Sequence, residues 1–270
     1  MANVFMFRGV DYELGYNDFQ LSENTLGISD KINEQNKKIT NSDFSYRIIN
    51  HWEANGLISN TRKENKGWRR YSLVDVVWLN IIKELRAFGY SLEQILKVRK
   101  NLTAPNTNSK SEFPLLEYYI ALAMVNEPVY LLVFSNGSAH PLTENEYQMN
   151  REFNTSTSHI QIQLNPIIQK LYPGKNLKPD FKESHKISID ERKGVLMLRL
   201  GSFEEAKIVN EDSEKDIEIK NAAGVEMAVE DTIQLIYKHN YESVTIKHGI
   251  GKYYYFRHKT TKKQENTLFD

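Results

Sequence analysis

The chain has 270 residues, of which 40% are hydrophobic and 26% are charged, so its composition is that of an ordinary globular protein with room for two or three small domains. It contains no cysteine, which excludes disulfides, zinc fingers, iron–sulfur sites and thiol catalysis. The formal net charge is zero, and no apolar run approaches the roughly 20 residues that a membrane-spanning helix needs. The first residues lack a basic flank followed by an apolar stretch, which predicts that there is no signal peptide.

Charge is distributed unevenly along the chain. Residues 46–100 contain eleven Lys or Arg and five Asp or Glu, a net charge of +6, so the remainder carries −6. A basic segment joined to an acidic remainder is typical of a protein that binds a polyanion with one part of its surface. We therefore expect the basic segment to have a nucleic-acid partner.

The N-terminal residues give weak signals. Residues 1–24 show no sustained periodicity and contain several aromatics, so we interpret them as an arm that packs on the rest of the chain. A short helix is predicted from Ile28 to about Lys38, where the apolar stripe is thin. The polar residues 40–43 end it.

The next predicted helix carries the first candidate site. It begins at Ser45, whose hydroxyl can cap the first turn, and ends at Asn55, before Gly56. The side chains predicted to face inward are those of Ile48, Ile49 and Trp52. The opposite stripe, at helical spacing, consists of Arg47, Asn50, His51 and Ala54. Guanidinium, amide and imidazole groups can reach base edges and phosphates from the major groove. An ordinary solvated helix face is the alternative.

A basic hairpin is predicted to follow. Leu57 and Ile58 begin an extended segment, residues 63–67 have the composition of a turn, and residues 68–71 form the returning strand. Its positive charges are Arg62, Lys63, Lys66, Arg69 and Arg70. Such a hairpin can lie along a phosphate backbone or a minor groove.

Two helices complete the basic segment. Ser72 and Asp75 form a predicted capping box, and Ser91 with Gln94 starts a second helix, to about Asn101, by the same logic. Gly89 separates the two helices. The buried stripe predicted for the first of them consists of Val74, Val77, Trp78, Ile81, Leu85 and Phe88.

Beyond this segment we predict two further domains. Residues 103–112 are a predicted linker and residues 113–173 a small α+β domain. The elements predicted in that domain are a helix at 115–126, strands at 129–134 and 159–164, and a helix from Asn165, as N-cap, to about Tyr172. Residues 174–186 are a second predicted linker.

Residues 187–270 are predicted to form a C-terminal α+β domain. The predicted strands are 187–189 and 195–200, and residues 209–220 are a solvated loop or an edge strand. A helix is predicted from Val225 to His239, with Met227, Ile233 and Ile236 on its inner face. A hairpin of residues 241–247 and 252–258 follows.

The last hairpin is a second candidate site. Lys252 to Lys259 interleave aromatic and cationic residues, a combination that can hold single-stranded nucleic acid. The alternative is a strand with one buried aromatic face and one exposed basic face. The seven histidines show no metal-binding spacing, and Ser135 to Ser138 lack the context of a nucleophile elbow. We therefore expect no enzyme activity, no metal and no cofactor.

Three segments together resemble the DNA-binding head of the MerR family. They are SYRIINHWEANGLI at residues 45–58, GWRRYS at 67–72 and LRAFGYSLEQI at 85–95, and the spacing between them also agrees. The resemblance covers residues 25–102 and nothing beyond them. It implies a winged helix-turn-helix domain there, so the expected fold is α+β, with this head followed by the two smaller domains.

The resemblance implies roles for individual residues. The helix at 45–55 enters the major groove, with Asn50 and His51 at positions that contact DNA, and Arg69 contacts a phosphate. Asn50 stands where the family usually has Arg, and Arg47, one turn earlier, can substitute for it. Trp52 and Tyr71 fall on aromatic positions that combine core packing with backbone contact. The complete predicted DNA-binding set is Ser45, Tyr46, Arg47, Asn50, His51, Trp52, Arg62, Lys63, Lys66, Trp68, Arg69, Arg70 and Tyr71.

The resemblance also implies a biological setting. We expect a transcriptional regulator that binds double-stranded DNA as a homodimer in the cytoplasm, at the nucleoid of a bacterium or phage, with an unknown effector or protein partner bound by the C-terminal regions. The linker at 103–112 interrupts the place of the family's long dimer helix, and the cysteines of its metal-sensing branch are missing. The alternatives are an architectural protein, such as an excisionase-like or DNA segregation factor, and a protein-interaction module without a nucleic-acid ligand.

Overall fold

The computed structural model describes residues 6–39, 43–60, 62, 68–103, 111–153, 158–210 and 216–258. They form helices and two antiparallel sheets, so the chain is a mixed helix and sheet protein, as its sequence predicts. The helices of the first part are α1 Gly9–Leu26, α2 Ile28–Ile32, α3 Tyr46–Ala54, α4 Leu73–Ala87 and α5 Leu92–Leu102. No helix in the described ranges is both long and apolar enough to cross a bilayer.

The predicted N-terminal arm is in fact helical over α1. Its periodicity is weak because buried and exposed apolar residues alternate irregularly: Phe19 is buried, while Leu14 and Leu21 are exposed. The Phe19 ring packs against Tyr118, with 5.5 Å between ring centroids, so this segment does pack on the rest of the chain. The next predicted helix is shorter than expected, because α2 ends at Ile32.

The helices of the head begin where local signals predict. The Ser45 hydroxyl accepts a hydrogen bond from the Ile48 amide at 3.3 Å, and both predicted capping boxes, at Ser72 and Ser91, form. The stripe predicted for α4 is buried except at Phe88, which is 60% exposed because it follows the last turn as the C-cap. The caps therefore set these boundaries.

The base of the predicted hairpin pairs differently from expectation. The backbone of Tyr71 exchanges two hydrogen bonds with that of Lys37, at 2.9 and 3.0 Å, which makes an isolated antiparallel bridge. Leu57 and Ile58 instead lie buried in the turn after α3 and form no described ladder with the returning segment. Residues 63–67, the predicted tip, lie outside the described residues.

The middle part packs helices around a three-stranded sheet. Its elements are α6 Pro114–Met124, β1 Val129–Phe134, β2 Ala139–Thr143, α7 Glu144–Phe153, β3 His159–Gln163, α8 Asn165–Leu171 and α9 Phe181–Ser184. The strand order is β2-β1-β3, and the sequence predicts β1 and β3 but neither β2 nor α7.

Two predictions for the middle part need correction. Asn165 is not an N-cap: its side chain accepts from the Val129 amide and donates to the Glu127 carbonyl, both at 2.8 Å, and so ties α8 to the start of β1. The predicted linker 174–186 contains α9 and the buried Leu177, so it packs against the core.

The C-terminal part contains a second sheet, of order β5-β4-β6-β7. Its elements are α10 Ile189–Leu200, β4 Glu205–Val209, β5 Ile217–Lys220, α11 Glu226–Tyr237, β6 Ser243–Gly249 and β7 Lys252–Arg257. The predicted edge strand within 209–220 is present as β5, and the final hairpin is present as β6 and β7.

The two strands predicted at 187–189 and 195–200 are wrong. They form one helix, α10, because Ser188 and Glu191 make a capping box and the apolar run from Val195 to Leu198 is buried around the helix. Met227, predicted on the inner face of α11, is 77% exposed.

One hydrophobic core joins these parts. A single cluster of buried side chains includes Phe19 of α1, Trp78 of α4, Tyr119 of α6 and Phe256 of β7. The division into separate domains stays a prediction, and the core runs across its boundaries.

Candidate nucleic-acid interface

The inner face of α3 anchors the helix in the core. Ile49 and Trp52 are buried, and the Trp52 ring meets Phe44 edge to face, with 5.9 Å between centroids. Ile48, predicted to face inward, is 43% exposed. Trp52 and Tyr71 were expected to mix packing with DNA contact, but at 6% and 4% exposure they are core residues. Burial raises the pKa of Tyr71 to about 12.

The outer face of α3 is polar and accessible. Arg47 and His51 are exposed, Tyr46 is 61% exposed and Asn50 is half-buried. Ser45, at the N-cap, is also exposed. Among the residues that the structure describes, none forms an ion pair with Arg47. Its guanidinium can therefore bind an anion without first breaking a described internal contact.

Arg69 fastens the returning segment to α3. Its Nε atom donates to Glu53 Oε2 at 3.0 Å, and its Nη2 atom donates to Asn50 Oδ1 at 2.7 Å. Its guanidinium also lies over the Tyr46 ring, 5.1 Å from the centroid. Only 8% of the Arg69 side chain is exposed. We call this set, Tyr46, Asn50, Glu53 and Arg69, the α3 clamp.

Glu53 holds a second guanidinium as well. Arg62 Nη2 lies 3.1 Å from Glu53 Oε1, so both carboxylate oxygens are occupied by arginine. Glu53 is thus the ion-pair partner of both arginines. Two of the cations predicted to contact DNA, Arg62 and Arg69, are thus engaged within the protein. A phosphate contact by Arg69, which the resemblance implies, competes with its contacts to Glu53 and Asn50 or uses its Nη1 group.

The sequence contained a signal for the α3 clamp. Tyr46, Asn50 and Glu53 are spaced four and three residues apart, which places them on one face of a helix. Helical spacing also places Asn50 on the stripe with Arg47 and His51, which is the grouping we predicted. Asn50 belongs to both stripes, because it lies between the side of α3 that faces solvent and the side that faces the returning segment.

The returning segment exposes a second set of groups. Trp68 is 93% exposed and Arg70 is exposed. An open cleft of about 800 Å³ lies between this segment and the start of α3. Its lining residues are Lys38, Ile39, Phe44, Tyr46, Ile49, Trp68, Arg69, Arg70 and Tyr71. Lys63 and Lys66, also predicted to contact DNA, lie outside the described residues.

These groups have the chemistry of a duplex-binding surface. Guanidinium, imidazole and amide groups on α3 can donate to base edges, and an exposed arginine and tryptophan beside them can contact phosphate and sugar. The ion pairs with Glu53 fix the position of the two elements relative to each other.

The second candidate site, on the last hairpin, has an ordinary strand pattern. Phe256 is buried and Tyr254 is half-buried, whereas Tyr253 and Tyr255 are exposed on the alternate face. The hydroxyl of Tyr254 donates to the Asp190 carboxylate at 3.0 Å. These positions agree with a strand that has one buried aromatic face. Lys259, Lys262 and Lys263 lie outside the described residues.

The helix after α5 is not free to pair with a second copy. In α6, Leu116, Tyr119 and Ile120 are fully buried, and Glu117, also buried, accepts a hydrogen bond from the Ser29 hydroxyl. The helix after α5 is therefore packed inside this chain.

Comparisons with known proteins support the resemblance over one part of the chain. No curated protein and no solved structure matched the chain. A family model, described as MerR HTH family regulatory protein, matches residues 40–102. This range includes α3, α4, α5 and the segment that carries Arg69. The similarity to the MerR family that the sequence predicts is therefore confirmed for residues 40–102, less than a quarter of the chain.

Proposed function

We propose that this protein is a DNA-binding transcriptional regulator that reads sequence with α3 in the major groove and contacts the backbone with the segment around Arg70. The observation that carries the proposal is the α3 clamp. It joins a polar, exposed helix face to an exposed cationic segment, within the range that matches a family of helix-turn-helix regulators.

Base recognition is assigned to Arg47, Asn50 and His51. Arg47 and His51 are exposed, and arginine is the side chain that pairs best with guanine in the major groove. The carbonyl oxygen of Asn50 accepts from Arg69, which directs the amide group. Its two N–H donors remain for an acceptor on a base. Arg69 is accordingly a positioning residue that acts on DNA through Asn50.

Backbone contact is assigned to Arg70 and Trp68. Both are exposed in the segment that Arg69 fixes to α3. Phosphate contacts contribute most of the affinity and its salt dependence, whereas base contacts contribute specificity. Lys63 and Lys66 remain proposed contacts of the same kind.

We further propose a homodimer in the cytoplasm, at the nucleoid of a bacterium or phage, that binds DNA without catalysing a reaction. The burial of α6 supports a dimer contact other than a helix directly after α5. An effector or protein partner is assigned to the acidic remainder.

The proposal is tested by selecting bound fragments from genomic DNA and measuring affinity for the best fragment at several salt concentrations. Three phosphate contacts per head, by Lys63, Lys66 and Arg70, give a log–log slope of about −2.7. Arg47→Ala should change which fragments are selected. The matched control is Lys170→Ala, which removes one exposed charge from α8 and should change neither quantity. A flat salt response, or an unchanged selection with Arg47→Ala, contradicts the proposal.

The selected fragments also separate regulation from an architectural role. Sites that overlap promoters support a regulator, whereas clustered sites at recombination or partition loci support an accessory protein that bends or bridges DNA. The spacing of half-sites reports the geometry of the dimer.

A further inference from the structure

Three side chains from separate elements meet in the C-terminal part. Glu191 lies in the first turn of α10, His239 just after α11 and His258 just after β7. One potential ligand atom from each lies within 4.8 Å of the other two. His239 Nδ1 is 3.2 Å from Glu191 Oε1, and the two imidazole rings stack with 4.5 Å between centroids. We call these three residues the EHH cluster.

The carboxylate of the EHH cluster is held in place from behind. Glu191 is buried, the Tyr241 hydroxyl donates to its Oε1 atom, and the Ser188 amide donates to its Oε2 atom at 2.6 Å. A hydrogen bond from a protein donor to a ligating carboxylate is the usual way in which metal ligands are oriented. Glu191 thus has outer-shell partners typical of a metal ligand.

His239 occupies a backbone conformation that residues other than glycine rarely adopt. Its φ is 55°, in the left-handed region, where the chain turns after α11. Gly or Asn is the usual residue at such a helix end, and another side chain there costs roughly 1 kcal/mol. Strain of this kind concentrates at functional sites. Here the left-handed conformation of His239 places its imidazole beside the Glu191 carboxylate.

We propose that Glu191, His239 and His258 bind a divalent transition-metal ion, with zinc as the best fit. Two imidazoles and one carboxylate are a ligand set that suits zinc, whereas magnesium and calcium prefer oxygen ligands alone. Three protein ligands leave a fourth position for water. Both histidines are half-buried, so an ion can reach them from solvent.

Binding requires only a small adjustment of the side chains. Ligand atoms around tetrahedral zinc lie about 3.4 Å apart, given zinc–ligand distances of about 2.1 Å. The stacked imidazoles must therefore turn toward the carboxylate. The bound ion would join α10, the residue after α11 and the residue after β7. It would stabilise this part of the fold whether or not the protein binds DNA.

The competing interpretation is a structural one. Two stacked imidazoles next to a buried carboxylate can simply pack and share a hydrogen bond. In that case zinc would bind no more tightly than it binds scattered surface histidines. Affinity and coordination geometry distinguish the two interpretations.

The test uses the full chain, freed of metal with a chelator and titrated with zinc alone. We expect one tight site per chain and, at a hundredfold excess over Kd, a Tm increase of about 5 °C. His258→Gln and His239→Asn should each weaken zinc binding by at least about tenfold. Asparagine is chosen at 239 because it tolerates positive φ. Tyr241→Phe, which keeps all three ligands, should weaken binding by about 10- to 100-fold.

The controls are His248→Gln and magnesium. His248 lies in β6 outside the EHH cluster, so its variant should bind zinc as the unmodified chain does. Cobalt in place of zinc should give the absorption spectrum of a tetrahedral site, and His258→Gln should abolish it even if the melting temperature of the metal-free variant has fallen. Equal zinc affinity in the unmodified chain, His258→Gln and His239→Asn would overturn the proposal. A Tm increase of the same size with magnesium would overturn it too.

Discussion

Glu53 in the head and Glu191 in the body both draw together side chains from separate elements. The side chain of Glu53 is 17% exposed and accepts from Arg62 and Arg69, so its partners are permanent cations that can only donate. Glu191 is 5% exposed and accepts from a phenol and an amide, with two imidazoles beside it. A neutral imidazole also offers a lone pair. Both carboxylates therefore accept hydrogen bonds on both oxygens, but only Glu191 lies beside side chains that can also bind a metal ion.

This difference affects how charge is counted in each region. The net charge of +6 over residues 46–100 overstates what DNA can meet, because Glu53 engages two of the arginines. In the body, the sequence understates what the structure brings together. The spacing of the histidines gives no indication that two of them meet. Burial alone would raise the pKa of Glu191. The hydrogen bonds from Tyr241 and Ser188 outweigh burial and hold this pKa below its usual value.

The largest expected effect is on stability, from Glu53→Ala. The change leaves the guanidinium of Arg69 almost buried without its carboxylate, and we expect the free energy of unfolding to fall by about 2–4 kcal/mol. The matched control is Glu93→Ala, because Glu93 pairs with Lys97 on the surface and should contribute less than about 0.5 kcal/mol. Urea unfolding of the full chain measures both. Equal losses in the two variants would show that the α3 clamp is not structural.

A second prediction concerns the packing that brings Glu191 and His258 together. A Cβ atom added at Gly194 of α10 would lie 2.6 Å from Cζ of Phe256 in β7. Gly194→Ala should therefore push β7 from α10 and lower the free energy of unfolding by about 1–3 kcal/mol. Gly174→Ala, where a Cβ meets nothing within 4 Å, is the control and should be nearly neutral. Gly194→Ala should also weaken zinc binding; unchanged stability would contradict the close approach.

A third prediction separates base recognition from backbone contact in the head. His51→Ala should reduce the discrimination between bases at one position by about 1–3 kcal/mol, because it removes a base-edge contact. Arg70→Ala should weaken binding to all sequences alike. Competition between the best DNA fragment and its single-base variants measures both effects. The same pattern of preferences in both variants would show that our assignment of roles is wrong.

The smallest expected effect is on salt dependence. Arg70→Ala should reduce the log–log salt slope by about one, because it removes one phosphate contact. Arg69→Ala should leave the slope unchanged, since its guanidinium is engaged by Glu53. The resemblance to the MerR family implies that Arg69 is a phosphate contact. A reduced slope for Arg69→Ala would support that expectation and would mean that the arginine moves to DNA on binding.

The head is predictable from sequence because its signals are local. Ser45, Ser72 and Ser91 each cap a helix within three residues, and a periodic stripe follows each cap. The apolar run from Val195 to Leu198 fits a buried strand as well as a buried helix. The capping box of Ser188 and Glu191 was the local feature that favoured the helix.

The sites are less predictable than the helices that carry them. Arg69 reaches Glu53 across 16 residues, and His239 reaches Glu191 across 48. No spacing rule relates residues brought together by tertiary packing of this kind. Asn50 shows the same limit on a smaller scale. Helical periodicity predicts the face of α3 on which Asn50 lies, but it does not predict that Arg69 contacts it there.

The continuous core has a practical consequence for dissecting the molecule. A fragment of residues 25–102, expressed alone, would lack α6, whose Glu117 bonds to Ser29, and Phe113, whose ring packs on Trp78 with 5.4 Å between centroids. Apolar side chains that the body covers would meet water, and aggregation of such a fragment would reveal nothing about its affinity for DNA. Studies of the separate regions should therefore keep the chain whole and alter single residues.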